Sequence, residues 1–588
     1  MAESIISPGV YTRENDISYI TPAPIQAGAA FVGPTVKGPD NQPLIVTSYS
    51  DYVRKFGETF LSASNKQYEF LTSVAVKSYF QNGGQTALVT RIVSGAYSGA
   101  STTFVSSSAK GSTEPFTLTT LGKGVIYNNA AGQFAATGSS ATYINSDGSL
   151  VSGSVDNVRW EISNVNNALG TFTLLIRQGD DSTTNKTILE TFNVSLDPNS
   201  DNYIEKVIGN QYTTVATDGS TSYNYQVGEY PNASNYVRVS AVNLPTNYYL
   251  KNDGISVGVD GAGLSYSASL PITASGSFYN ATGAVKAGAT FFSAINTAAT
   301  DAQGLVAASY TTALSLLANK DEYQFNVISA PGLLYGNSAF TSTVGSFISL
   351  AESRGDCIAV VDLVATGSAV ATVTGQAVSL NSSYAATYWP WLQIKSATGR
   401  NEWVPAGTLI PGVYAFTDAA AAPWYAPAGL VRGGIGGVIQ AERKLTKGDR
   451  DTLYSAKVNP IASFPGTGIS IMGQKTLQTK ASALDRVNVR RLLIELKKFI
   501  GDQARNLVFE QNTVATRNKF LATVNPYLDS VVQRQGLYAY RVVMDDTNNT
   551  ADVVDRNQLV GQIFIQPTKT IEFVVLDFTI EPTGATFG

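Results

Sequence analysis

The stretch that decides the fold is residues 323–363, YQFNVISAPGLLYGNSAFTSTVGSFISLAESRGDCIAVVDL. Two runs rich in β-branched and aromatic residues, YQFNVISAPG (323–332) and DCIAVVDL (356–363), flank a helical pattern over about 342–354. A second helical pattern, about 304–318, precedes the first run. Strands alternating with helices predict a sheet with helices packed on it. Cys357 lies in the second run, where a lone thiol among apolar neighbours reads as a small core residue and not as a nucleophile.

Towards the N-terminus the same alternation reappears over 26–95. AAFVGPTVKGP (29–39) reads as a strand and a turn. Leu71, Val74, Ala75 and Tyr79 follow i, i+3, i+4, i+8 spacing, so a helix is expected there, ended by Gly83 and Gly84. TALVTRIV (86–93) reads as a strand. Between about 96 and 285 the composition shifts to Ser, Thr, Gly and Asn. Short runs such as PFTLTTL, NVRWEIS, GTFTLLIRQ, KTILETFNVSL and NYVRVSAV are separated by turn signals such as NSDG and TDGS. This predicts a mostly-β domain inserted into an α/β body and exposed on its outside.

Towards the C-terminus, Val489, Leu492, Leu493, Leu496 and Ile500 form one apolar helical stripe, with Arg490, Arg491, Lys497 and Lys498 expected on a positive face. A second helix carries Phe520, Leu521, Val524 and Leu528, with a break or kink expected at Pro526. LYAYRVVMD, LVGQIFIQP and TIEFVVLDFTI read as closing strands. The last of these is apolar on both faces, with Val574, Leu576, Phe578 and Ile580 on one side and Ile571, Phe573 and Val575 on the other, so it needs cover on both. The first 25 residues, broken by Pro8, Pro22 and Pro24, read as an extended arm whose apolar Val10, Tyr11, Ile17 and Tyr19 need a partner elsewhere.

The fold class expected is therefore a mixed α/β and β multi-domain chain. Its divisions are 1–25 an arm, 26–95 the first part of an inner α/β core, and 96–285 an inserted β-rich outer region. Residues 286–440 form a middle α/β domain, 441–569 a C-terminal domain with long helices, and 570–588 a strand arm.

Composition excludes several chemistries. The 588 residues contain no histidine and one cysteine, so no Ser-His-Asp triad, Cys-His dyad, His-ligated metal or internal disulfide can form within the chain. The net charge of −4 comes without a block of Lys and Arg, which argues against direct nucleic-acid binding. MAESIISPGV has no basic-then-apolar leader pattern, and no run of 18 apolar residues exists, so no membrane insertion is expected. VRGGIGG (431–437) matches no phosphate-loop pattern and reads as a tight loop. Asp545, Asp546 and Glu402 have no glycosidase pairing; the plain reading is solvated carboxylates. Trp389, Trp391, Trp403, Trp424 and Tyr425 could stack on sugars, but aromatics this dense read first as core.

Six segments in order resemble the contractile tail sheath family of myophages, R-type bacteriocins and related injection devices. They are SPGVYTRENDIS (7–18), FQNGGQTALVTRI (80–92), SSYAATYWPWLQI (382–394), APWYAPAGLVRGGI (422–435), NVRRLLIELKKFIGDQARNLVFEQNT (488–513) and GLYAYRVVMDDTNNTADVVDRNQLVGQIFIQP (536–567). The fourth, with Pro423, Trp424, Tyr425, Pro427 and Gly429, is the most specific. The resemblance implies a structural subunit, not an enzyme, without cofactors, that polymerises with itself as stacked hexameric rings and contracts around a tube. It implies that both arms add strands to neighbouring subunits, through Val10, Tyr11, Ile17 and Tyr19 at one end and Phe573, Val574, Val575, Leu576, Phe578 and Ile580 at the other. It further implies that the helix bearing Arg490, Arg491, Lys497 and Lys498 faces the tail tube protein. Baseplate and tail terminator proteins would be the other partners, in a virion assembled in the host cytoplasm. A β-rich surface adhesin or tail-fibre-like protein is the alternative reading.

Overall fold

The computed structural model describes residues 25–572 apart from 62–66, 103, 105, 107–109, 112, 130–133, 137–143, 220, 286–299, 465 and 467. The expected arm residues Val10, Tyr11, Ile17, Tyr19 and Phe573, Val574, Val575, Leu576, Phe578, Ile580 lie outside the described residues.

The deciding stretch forms strand, helix and strand. β1 (Ile25–Gly33), β2 (Pro43–Val46), β3 (Ala87–Arg91), β4 (Tyr323–Leu334), β5 (Ile358–Asp362), β6 (Ala385–Trp389), β7 (Asn459–Phe464) and β8 (Gly468–Ile471) make one sheet in the order β2-β3-β1-β4-β5-β6-β7-β8. The strands from β3 to β7 run parallel, and β2 and β8 close the edges antiparallel. A parallel strand covered on both faces must be apolar at every position, and all five residues of β5 are buried. Ile358 and Val360 join Phe31, Val89 and Ile461 in one core, while Ala359 and Val361 join Val32, Leu88 and Trp389 in the other. Cys357 is wholly buried and burial pushes its thiol pKa up, which leaves it inert.

Helix α1 (Leu71–Gln81) buries Leu71, Val74, Ala75 and Tyr79, the positions its spacing singled out. Gly83 follows at φ +93°, a conformation that ends the helix and disfavours a side chain. The pattern expected as a helix at 304–318 is shorter, a 3-10 turn (Ala307–Tyr310) leading into a helix at Thr311–Leu317.

Two expectations of domain organisation need correction. The 26–95 segment, expected as the first part of an inner core, and the 286–440 segment, expected as a middle domain, share one sheet, because β1 pairs with β4 residue for residue from Ile25↔Tyr323 to Phe31↔Ser329. The expected boundary at 440/441 falls inside the sheet, because β7 pairs with β6 at Tyr388↔Asn459. Local alternation reveals strands but not their neighbours, so strands far apart in sequence looked like separate domains.

The residues between β3 and β4 build their own sheets. One has five strands, including Val158–Asn166, Thr171–Gln178 and Ile188–Ser195. Phe104, Phe116, Trp160, Phe172 and Leu174 form its core. Beside it, Asp181 receives Nε and Nη2 of Arg177 at 2.7 and 2.8 Å and Nη1 of Arg159 at 3.3 Å, all three side chains being fully buried. A hairpin (Tyr212–Asp218 with Thr221–Val227) reaches the α/β body, where Asn224 donates to the Tyr323 hydroxyl at 2.7 Å.

Aromatic residues of the 389–425 region serve the interior. Trp389, Trp391 and Trp424 are buried, and Trp391 Nε1 donates to Val364 O at 2.9 Å. VRGGIGG forms a short turn and loop, with Gly434 bridged to Ser470 beside β8. Asp545 caps its own turn and Asp546 pairs with Arg517 at 2.6 Å. No described helix is long and apolar enough to cross a membrane.

At the carboxyl end of β5, Asp362 is buried and accepts the Gly407 N–H at 2.8 Å. Burial lifts its pKa to about 7, against the single hydrogen bond that lowers it. A carboxyl raised in the folded state stabilises the fold fully at low pH and loses that contribution as pH rises through the folded value. Melting curves of wild type and Asp362→Asn should therefore coincide near pH 4. They should separate as pH rises to about 7, with the variant more stable above it by up to about 4 kcal/mol.

Candidate inter-subunit docking surface

The C-terminal segment folds as two long helices and a two-stranded sheet. Before them in the chain, α2 (Ile410–Ala420) packs against α1. α3 (Val487–Arg505) and α4 (Val514–Gln533) then pack against β9 (Leu537–Val543) and β10 (Gln562–Pro567). Tyr540, Val542, Ile563 and Ile565 line the inner face with Leu492, Leu496, Phe520, Val524 and Leu528. The expected break at Pro526 does not occur. α4 runs through it, because only the ladder bond to Ala522 O is lost while Val524 and Leu528 stay buried on either side.

The Pro-Trp-Tyr motif bolts this unit to the α/β body. Trp424 sits in the helical core, and its Nε1 donates to Arg534 O at 3.0 Å. Tyr425 donates to the same carbonyl at 3.3 Å, and Asn488 donates to Trp424 O at 3.3 Å. Gly536 is required by this approach, since a Cβ there would lie 2.6 Å from Val531 and 3.2 Å from the Trp424 ring. Pro427 is buried beside it, and Gly429 takes φ +83°. Pro423 is half-buried.

The positive face expected on α3 is not formed by its two arginines. Arg490 and Arg491 are buried, only 4% exposed each. Arg490 donates to Ser383 O at 3.2 Å and lies over the Tyr384 ring at 3.9 Å. Arg491 grips both oxygens of Asp418, on α2, at 2.6 Å and lies over Tyr414 at 4.6 Å. Burial still raises the Asp418 carboxyl above its usual value, with Arg491 opposing. The planar guanidinium can be stacked and hydrogen-bonded at once, which suits it to such interior joints. Of the four cations, Lys497 is exposed and Lys498 partly so.

The outer features are those a partner could use. Among the described residues β9 and β10 pair only with each other, so both outer edges of this sheet present unpaired backbone groups. Tyr538 and Phe564 point outward, 65% and 56% exposed. Beside Tyr538 lies a cleft of about 930 Å³, lined also by Tyr425, Arg432, Arg450 and Lys569 among others. The chain leaves β10 along this cleft and is held at Glu572. Arg486 donates to its carboxylate at 2.6 and 3.0 Å, and Tyr454 at 2.9 Å. Burial alone would raise the Glu572 pKa; the Arg486 and Tyr454 hydrogen bonds prevail and hold it below the usual value. The strap of Arg486, Tyr454 and Glu572 was not visible in sequence, where 86 residues separate the ion pair. Among the described residues no cluster of His, Cys, Asp and Glu is placed to hold a metal.

Comparison with known proteins agrees with this architecture. Residues 303–477 match the phage tail sheath protein central domain, and 479–581 match the phage tail sheath C-terminal domain. The tail sheath protein of Vibrio phage KVP40 is 36% identical over 307 residues, 46% of this chain and 46% of that protein. The tail sheath protein of Enterobacteria phage T4 is 35% identical over 258 residues, 41% of this chain and 39% of that protein. The match thus spans less than half the length of either relative. In fold, the sheath tail protein of Listeria innocua superposes with a TM-score of 0.51 at 10% identity, over 92% of this chain and 95% of that one. Residues 303–477 and 479–581 thus carry the central and C-terminal domains of the phage tail sheath family.

Removing the bolt should free the C-terminal unit. Trp424→Ala is expected to cost about 3–5 kcal/mol. It should appear in hydrogen exchange as early loss of protection across 487–567, with β3 to β6 unchanged. Separately, Glu572→Gln should make the chain beyond residue 569 more protease-sensitive, with a loss of about 1–3 kcal/mol at the strap.

Proposed function

We propose that this chain is the subunit of a contractile phage tail sheath, stacked as hexameric rings around a tail tube and contracting to drive the tube through a host envelope. One observation carries this reading: among the described residues both outer edges of the two-stranded sheet β9–β10 are unpaired, and the chain that follows β10 is anchored at Glu572. In this reading residues 1–25 and 570–588 act as arms that add strands to the sheets of neighbouring subunits and join them into a mesh.

The energetics require side chains as well as backbone. Fixing a ten-residue arm costs roughly 10–20 kcal/mol of backbone entropy. Each backbone hydrogen bond returns only about 0.5–1.5 kcal/mol. Burying Phe573, Val574, Leu576 and Phe578 at about 1.5–3 kcal/mol each closes the gap. The exposure of Tyr538 and Phe564 supports this reading, since each offers apolar surface to such side chains.

In this reading contraction is a rigid-body movement of subunits. The body and the C-terminal unit, joined by Trp424, Arg490 and Arg491, move together, and the arms serve as hinges. The extended lattice stores the energy at assembly, so no nucleotide is consumed. Lys497 and Lys498 are the remaining candidates for contact with the tail tube protein, where charge sets register. The baseplate and tail terminator proteins bound the polymer, which assembles in the host cytoplasm and ends in the virion. The relatives are structural sheath proteins, which supports a non-enzymatic role. They do not favour the adhesin alternative.

Electron microscopy of the full chain beside a chain lacking 570–588 tests this. Tubular polymers from the first and dispersed particles from the second are expected. Identical tubes from both would refute the arm mechanism.

A further inference from the structure

Arg91 ends β3 in an unusual setting. Its side chain is 1% exposed. Nη1 donates to the carbonyl oxygens of Gly38 and Lys123, the latter at 2.8 Å, while Nε and Nη2 have no partner among the described residues. The guanidinium carbon lies 5.2 Å from the centre of the Tyr97 ring. Its partners are thus neutral carbonyls and an aromatic face. The nearby carboxylate, Asp40, is engaged by Lys123 at 2.7 Å. Burying a charge without a counter-charge is far costlier than burying a satisfied dipole.

A cavity adjoins this group. Pro34, Thr35, Arg91, Tyr97 and Gln303 are among its lining residues, and no acidic side chain is among the described ones. Most of its other polar side chains are already used: the Tyr97 hydroxyl donates to Ala284 O at 2.6 Å. Gln303 accepts the Leu71 N–H and donates to Pro331 O, both at 2.9 Å, and the Thr35 hydroxyl donates to Lys37 O at 2.8 Å. About 20 Å³ is open to the centre of a water-sized sphere, room for one small ion but not for a phosphate or sulfate with its oxygens. The cavity lies at the carboxyl ends of β1 and β3. Here β1 has β3 on one side and β4 on the other, and open α/β sheets bind ligands at such a reversal of strand order. It also touches both chain crossings to the inserted β region, at Ser94–Tyr97 and at Ala284–Val285.

We infer that this cavity binds a small monovalent anion of the chloride class on the free Nε and Nη2 of Arg91, fastening the inserted β region to the α/β body. A water could accept from the same nitrogens but would supply no charge. The anion does both, and it does so where the chain leaves the sheet and returns.

The test uses the full chain. Crystals grown in sodium bromide should show an anomalous peak within hydrogen-bonding distance of the Arg91 guanidinium. At constant ionic strength, replacing gluconate by chloride or bromide should raise the first melting transition of wild type by about 2 °C or more, and should leave Arg91→Met unmoved. Bromide found only at other places, a water at the Arg91 position, or equal halide stabilisation of wild type and Arg91→Met would each overturn the inference. If Arg91→Met does not fold, the bromide map of the wild type decides alone.

Discussion

The pairing of β1 with β4 is the constraint on which the rest depends. It brings residues 25–33 against 323–334 and so closes a loop of nearly three hundred residues at one place in the sheet. Closing a loop that long costs only slightly more entropy than closing a short one, so a large β region can be carried between β3 and β4 at little expense. The same pairing makes β1 and β4 the buried centre of the sheet, with Phe31 facing one core and Phe325 the other. Everything outward, from β2 at one edge to β8 at the other, is laid on that pair.

The second organising feature is the joint between the sheet body and the C-terminal unit. α3 enters the interior at its first turn: Val487, Asn488, Val489, Arg490, Arg491 and Leu492 are all buried. Two consecutive residues on a helix point about 100° apart. Arg490 and Arg491 therefore reach different neighbours, the Ser383–Tyr384 loop and the Asp418–Tyr414 face of α2. Trp424 completes the joint from the other side. Removing one partner of a buried pair costs more than the pair itself contributes, so the joint is stiff. A stiff joint between a broad body and a sheet whose edges are unpaired among the described residues is what the proposed force-transmitting role requires.

Much of this was legible in the sequence. The strand, helix and strand at 323–363, the helix over Leu71–Tyr79 and the β character of 96–285 all follow from periodicity and turn signals, which are local. Two things were not. Strand neighbours are set by long-range pairing, so the single sheet looked like several domains and Asn459–Phe464 was placed on the wrong side of a boundary. Arginines at 490 and 491 read as part of a positive face, because periodicity shows which side of a helix is apolar but not that its N-terminal end is engulfed. Lys497, further along the same helix, is exposed as charge suggests. The aromatic motif at 423–429 was recognised by resemblance; only the structure explains it, through Arg534 O and Gly536.

The central claim is that one subunit's arm completes another subunit's β9–β10 sheet. The chain's sole cysteine, Cys357, is buried, so introduced pairs can be read without background. The most direct measurement is oxidation of assembled particles carrying Leu576→Cys with either Tyr538→Cys or Phe564→Cys, analysed on a denaturing gel. Covalent multimers forming a ladder with at least one pair are expected, since a disulfide forms only when the two Cβ atoms come within about 4.5 Å. Monomers alone from both pairs, free or internally closed, would contradict the account.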